Sequence, residues 1–214
     1  MVSLLNEYPY QAESVDIGKK GVMISTEDSV KLLGHFSQQI GTFQYSNCVD
    51  AKFSAQESQG LALDGAKLIH FSLDKVKTIR EYTDDGAVLA VSSGNLVATG
   101  GSVVKLWDIR RRLAIRTTNA HQKGTSSLLF GEGFLLSGGK EGTLKKWDLK
   151  ANRAIETISR HERIYDIHSE DNKIAVLYKN IVRVYDMQSY ENTLTLPVPD
   201  TQSCLLYTSD AADE

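Results

Sequence analysis

His121 and His161 are the side chains of this sequence best suited to chemistry near neutral pH, since imidazole can act as a general base or ligate a metal. Around neither does a Cys, an Asp or a second His fall at the spacing of a zinc ligand set. Ser137, followed by Gly138 and Gly139, superficially resembles a nucleophile turn, but Gly-x-Ser-x-Gly is absent and both flanks read as strands. Gly100 with Gly101, and Gly138 with Gly139, precede neither a helix nor a Lys-Ser/Thr pair, so they read as tight turns rather than phosphate cradles. Arg110, Arg111 and Arg112, with Arg116 nearby, form the basic cluster; such a cluster can hold phosphate or an acidic peptide, although solvated charge is ordinary there. Asp84 and Asp85 read as turn residues. The expectation is therefore no catalytic residue, no metal site, no cofactor and no evident small-molecule substrate.

The elements that must carry these residues repeat. Trp107-Asp108 and Trp147-Asp148 each close a short apolar strand that follows a Gly-rich turn, and Tyr185-Asp186 repeats the pattern in weaker form. Extended upstream, the same pattern falls on Phe71 and Leu33, with Phe36 as the alternative to Leu33. The five anchors are spaced 38, 36, 40 and 38 residues apart. Each unit offers four short strands between turn residues, and no segment sustains a 3.6-residue apolar period. The second strand of each unit is apolar at consecutive positions, as expected where both sheet faces are covered. The fourth is more polar, as expected of an outer edge. Four strands per repeat of about forty residues is the blade of a β-propeller, which cannot bury its faces alone and must stack on neighbours.

The chain has 214 residues, a formal net charge of −3 and 41% hydrophobic residues, enough for a core and without bulk attraction to nucleic acid or anionic lipid. Cys48 and Cys204 form no metal or disulfide pattern. No signal peptide is recognisable, and no apolar run approaches the ~18 residues of a membrane span. An intracellular protein, cytoplasmic or nuclear and without membrane insertion, is expected. The units fall at about 14–46, 47–83, 84–121, 122–161 and 162–199, after an N-terminal segment 1–13 and before an unstructured tail 200–214.

Units three and four resemble the WD-repeat family, whose repeats end in Trp-Asp and begin after a Gly-His-like pair. Here Ala120-His121 precedes unit four and Arg160-His161 precedes unit five. The resemblance implies a buried hydrogen-bonded chain of His, Ser or Thr, Trp and an acidic residue. By position that chain comprises His121, Ser137 and Trp147, with Glu141 at the turn where the family usually has Asp-Gly. His161, Trp107, Asp108 and Asp148 are the corresponding members elsewhere. Unit three lacks the preceding His, and units one and two lack Trp-Asp. The resemblance implies an all-β propeller of four-stranded antiparallel blades, usually seven and sometimes eight. Five blades would leave an open arc or a poorly closed ring.

Residues 204–214 resemble a translated sequencing adapter and are read as an artefact, so that the sequence is expected to be an N-terminal fragment. Function in the family resides in loops, which implies a non-enzymatic scaffold for protein partners. Tyr82, Lys123, Arg163 and Tyr165 are the candidate contacts in loops leading into first strands, with Arg110, Arg111 and Arg112 as a further candidate set. The compact turns at Gly94-Asn95 and 131–133 are similar to those of F-box WD proteins, which raises a ubiquitin-ligase substrate receptor as one alternative. An RNA-associated propeller subunit is the other, although nucleic acid is not expected from the charge balance. A catalytic propeller would need convergent inward His, Asp or Glu residues.

Overall fold

A computed structural model describes residues 11–34, 39–56, 58–150, 154–160 and 162–198. His161 and the adapter-like residues 204–214 lie outside the described residues, as does Phe36. Among the described residues there are twenty strands and no helix. They form five four-stranded antiparallel sheets, each a simple meander. The first holds β1 (Ser14–Gly18), β2 (Gly21–Thr26), β3 (Ser29–Leu33) and β4 (Gln39–Gln44). The second holds β5 (Cys48–Phe53), β6 (Gln59–Asp64), β7 (Lys67–Ser72) and β8 (Lys77–Thr83). The third is β9 (Val88–Val91), β10 (Leu96–Gly100), β11 (Val104–Asp108) and β12 (Arg116–Thr118). The fourth is β13 (Thr125–Gly131), β14 (Phe134–Gly139), β15 (Thr143–Asp148) and β16 (Ala154–Arg160). The fifth is β17 (Asp166–Glu170), β18 (Lys173–Leu177), β19 (Ile181–Asp186) and β20 (Asn192–Pro197).

The anchors are equivalent in register as well as in spacing. Pairing between third and fourth strands slips immediately before Leu33, Phe71, Trp147 and Tyr185. In the third sheet regular pairing stops at Leu106, one residue before Trp107. A bulge raises local twist and re-aims the next side chain. Four of the five anchors therefore follow the same slip, and Trp107 follows the end of regular pairing.

First strands pack in chain order, β1 on β5, β5 on β9, β9 on β13 and β13 on β17, and no comparable contact joins β17 back to β1 among the described residues. Four apolar clusters fill the four spaces between consecutive sheets. Met23 and Leu32 meet Ala51, Ala62 and Phe71. Leu61 and Leu68 meet Val97 and Trp107. Ala98 and Leu106 meet Leu128 and Leu135. Leu136 and Leu144 meet Ile164, Ile174 and Tyr185. Burial of the second strands follows from this stacking. All six residues of β14 are buried, as are the central four of β6, whereas β2 and β18, in the end sheets, tend to alternate. An end sheet has one covered face, which gives period-two burial, and a middle sheet has two. The fourth strands are the outer edges; β20 is exposed throughout. The propeller is open.

The glycine pairs do something other than turn. Gly100, Gly138 and Gly139 lie within strands, and none has a positive φ. A Cβ on Gly138 would stand 2.7 Å from Ile164 Cγ2 in the loop leading to β17, so this glycine admits a close neighbour. Positive φ falls instead at turn glycines such as Gly133 (φ 77°) and Gly142 (φ 89°).

Candidate functional site

The second-to-third-strand turn of the fourth sheet and the loops beside it gather most of the residues expected to act together. His121 lies before β13, with its side chain fully enclosed. Its Nε2 is 2.7 Å from Ser137 Oγ on β14, and that oxygen accepts from Trp147 Nε1 on β15 at 2.8 Å. Nδ1 stands 2.6 Å from Glu141 Oε1 and 3.0 Å from Thr143 Oγ1. The Thr143 hydroxyl also donates to Glu141. Only one proton arrangement satisfies the whole set: the indole N–H donates to Ser137, Ser137 donates to Nε2, and Nδ1–H donates to the carboxylate. His121 is thus neutral with its proton on Nδ1. A second proton on Nε2 would leave the Ser137 hydroxyl hydrogen without an acceptor within this set.

The electrostatics agree. Burial pushes the His121 pKa below its ordinary 6.5, outweighing the opposing pull of Glu141. Burial alone would raise Glu141, but the Thr143 and His121 hydrogen bonds outweigh it and hold the carboxyl below 4.5. Ser137, His121 and Glu141 stand in the order of a nucleophile, base and orienting carboxylate, but Ser137 and the imidazole are buried and the Ser137 oxygen already accepts from the Trp147 indole, so no path for a substrate reaches the hydroxyl.

The third sheet solves the same problem differently. Trp107 Nε1 donates to Thr99 Oγ1 at 2.9 Å. On the side where His121 stands in the fourth sheet, the third has buried Asp84, whose Oδ1 accepts from Lys105 Nζ at 2.8 Å. Lys105 also reaches Asp85 at 2.9 Å. The acidic pair expected as turn residues is therefore an ion-pair site, a role that needs Lys105 folded back from β11. Thr99 escapes a spacing search because it lies eight residues before its Trp and Ser137 lies ten, the turn between being shorter. Strand register finds it: each hydroxyl is two residues beyond the partner of the Trp, Val97 in one sheet and Leu135 in the other. Phe71 and Leu33 have no polar donor to satisfy, and Tyr185 Oη meets Tyr178 Oη at 3.3 Å.

The Asp that follows Trp107, Trp147 and Tyr185 caps the next turn in each case. Asp108 Oδ1 accepts from Arg110 N at 3.0 Å, Asp148 Oδ1 from Lys150 N at 2.6 Å, and Asp186 Oδ1 from Gln188 N and Ser189 N at 2.8 Å. The Arg110 side chain then pairs with Asp108 at 2.6 Å and, with the turn N–H, holds that carboxyl at about 2. Asp108 and Asp148 thus belong to turns rather than to the buried chain.

Around the network lie three of the four expected loop contacts. Lys140 N donates to Gly124 O and Ile164 N to Gly139 O, which pins the loops carrying Lys123, Arg163 and Tyr165 on either side of the Gly139–Gly142 turn. The three side chains are exposed, with the Arg163 guanidinium 5.0 Å from the Tyr165 ring centroid and Lys123 N 3.4 Å from Glu141 Oε2. Tyr82 is a correction. It lies on β8, is 4% exposed, stacks beside Trp107 and donates its hydroxyl to Ile109 O at 2.8 Å. Its apolar body completes the core between the second and third sheets, so it presents nothing to a partner. Arg110, Arg111 and Arg112 occupy the third-to-fourth-strand turn, on the opposite rim from Lys123.

First strands enclose a cavity of ≈ 320 Å³ bordered by Asp50, Lys52, Ser126, Asp166 and His168. Sequence reading found no inward acidic set, yet Asp16, Asp50 and Asp166 sit on first strands. They stitch neighbouring sheets together. Asp16 Oδ2 accepts from Phe53 N at 2.7 Å, Asp50 Oδ2 from Leu89 N at 2.9 Å, and Asp166 Oδ1 from Ser127 Oγ at 3.0 Å. Burial raises the Asp50 pKa, with Lys52 opposing. Among the described residues no three His, Cys, Asp or Glu side chains are grouped to hold a metal ion, and no helix is long and apolar enough to cross a membrane.

No family model matches the chain. It is 26% identical over 182 residues to F-box/WD repeat-containing protein 8 of Rattus norvegicus, a match covering 78% of this chain and 30% of that protein. The Mus musculus protein of the same name is 25% identical over the same length and shares. Myosin heavy chain kinase C of Dictyostelium discoideum is 26% identical over 132 residues, 58% of this chain and 16% of the kinase. The chain spans about 30% of the length of the first two relatives.

Proposed function

We propose that this chain, which shares WD-repeat character with its relatives and folds as a stack of four-stranded blades, is a non-enzymatic scaffold that holds rigid loops out to protein partners. The observation that carries this reading is the buried chain from Trp147 through Ser137 and His121 to Glu141, lying beneath the turn that Lys123, Arg163 and Tyr165 surround. A fixed backbone lowers the ordering cost of binding, and Tyr and Arg are the side-chain types that anchor protein surfaces. His121, Ser137 and Glu141, the groups nearest to a catalytic pattern, are engaged in a buried network inside the fourth sheet. The name of two relatives includes an F-box, which favours a substrate receptor of a ubiquitin ligase as the finer reading, placed in the cytoplasm or nucleus.

The test is capture of partners on the immobilised chain, with and without ribonuclease, beside the Lys123→Ala/Arg163→Ala/Tyr165→Ala variant. A ribonuclease-resistant protein retained by the parent chain and lost by the variant, with unchanged melting, is the expected result. Partners that survive the substitutions would move the site elsewhere, and partners released by ribonuclease would favour an RNA-associated role.

A further inference from the structure

The turn between β11 and β12 places basic and aliphatic side chains together on the rim opposite Lys123. Arg110, Arg111 and Arg112 are exposed, Leu113 is 79% exposed and Ile115 is 44% exposed. The backbone beneath them is held from several sides. Arg111 N donates to Asp108 O at 2.8 Å and Ile115 N to Leu106 O at 2.7 Å. From β8 of the preceding sheet, Tyr82 Oη donates to Ile109 O, and Arg80 donates to Ile109 O and Arg111 O at 3.2 and 3.1 Å. Ile109, at the start of the turn, is buried. The exposed side chains therefore project from a fixed backbone.

Charge separates this patch from the rest of the chain. Arg110 and Arg111 share one carboxylate, Asp108, in a molecule of formal net charge −3. Asp108 is committed to Arg110 at 2.6 Å, and Arg111 reaches it only at 4.0 Å. Arg112 has no ion pair among the described residues. A single exposed leucine needs no explanation. Two aliphatics beside arginines whose charge is not cancelled are a different surface, since the arginines discourage self-association and attract anions. Guanidinium forks fit carboxylates, whereas the aromatic platforms on which single-stranded bases stack are absent from this turn.

We propose that this turn is a docking surface for an acidic, apolar-anchored peptide segment of a partner protein. Carboxylates pair with Arg111 and Arg112, and an aliphatic side chain seats on Leu113 and Ile115. The inference rests on the scaffold reading and adds to it a second rim with its own kind of partner.

The test is fluorescence anisotropy of a labelled peptide of alternating Glu and Leu titrated with the full chain. Saturable binding that weakens with added salt is expected, falling about tenfold in Arg111→Glu/Arg112→Glu and several-fold in Leu113→Ser. Both variants change exposed side chains and should melt with the parent chain. A Glu-only peptide should bind more weakly, and a Lys–Leu peptide should not bind. Failure of the Glu–Leu peptide to bind, equal binding by the charge-reversed variant, or tighter binding of a polyuridine oligonucleotide or phosphatidylserine vesicles overturns the proposal. Partners held through Lys123, Arg163 and Tyr165 should survive Arg111→Glu/Arg112→Glu, so failure on this rim is separable from failure of the scaffold reading.

Discussion

His121 shows how burial acts on an imidazole. With its ring enclosed and Nε2 accepting from Ser137, it is stable only when neutral. The unfolded chain takes up a proton near the ordinary pH of 6.5, and the folded chain takes it up only lower. Between the two values the unfolded state binds more protons, so unfolding free energy rises with pH and stability is lost as pH falls below 6.5. His70, held low by burial and then by Arg80, adds a slope of the same sign. Urea unfolding across this window should therefore give a slope that shrinks, without vanishing, in His121→Gln; an unchanged slope would remove His121 from the account. Ser137→Ala leaves the Trp147 indole N–H without its acceptor and Nε2 without its donor, so it should cost about 2–4 kcal/mol at neutral pH by the same assay. The His–Ser–Trp part of this arrangement was an expectation of the WD-repeat resemblance, carried onto His121, Ser137 and Trp147 by position. The Asp84–Lys105 pair was not, because it needs Lys105 to turn back across the sheet to a residue 21 positions away.

At the scale of the strand, alternation and turn chemistry gave the four-strand repeat, and the anchors gave its phase. Leu33 holds the place of an anchor, since the pairing slip falls before it as it does before Phe71, Trp147 and Tyr185. What escaped was anything dependent on a neighbouring sheet. Gly138 looks like a turn residue in isolation, yet it lies in β14 under Ile167 of β17 and Ile164 of the loop before it. Tyr82 looked like a loop contact because β8 runs to Thr83, and only the third sheet reveals that its ring is covered. A methyl group at Gly138 would meet Ile164 Cγ2 at 2.7 Å and Ile167 Cδ1 at 3.0 Å, inside a full core. Gly138→Ala should therefore destabilise by about 1–3 kcal/mol, as overpacking does. The loss should be local. Hydrogen exchange in β17 and β18 should accelerate relative to β5–β7, and uniform acceleration across all five sheets would contradict a separate fourth-to-fifth interface.

For the molecule as a whole, stacking sheets around an axis leaves the cost of incompleteness at the two ends. Ser14 and Asp16 of β1 bond to the second sheet, and Val15 and Ile17, pointing the other way, are 53% and 77% exposed. At the far end Leu194 and Leu196 of β20 are 48% and 47% exposed on an edge strand with no further strand beside it among the described residues. Exposed aliphatics on a sheet face or an unpaired edge invite another copy to cover them. Sedimentation velocity at rising concentration should accordingly show the chain of this length self-associating. Ile17→Lys/Leu196→Lys should suppress that association while leaving melting unchanged, because neither side chain belongs to the four inter-sheet clusters. Association that persists in the double variant would mean that the ends are not the sticky surfaces. The rim at Leu113 and Ile115 would then be the first place to look, and Leu113→Ser in the same experiment separates the two.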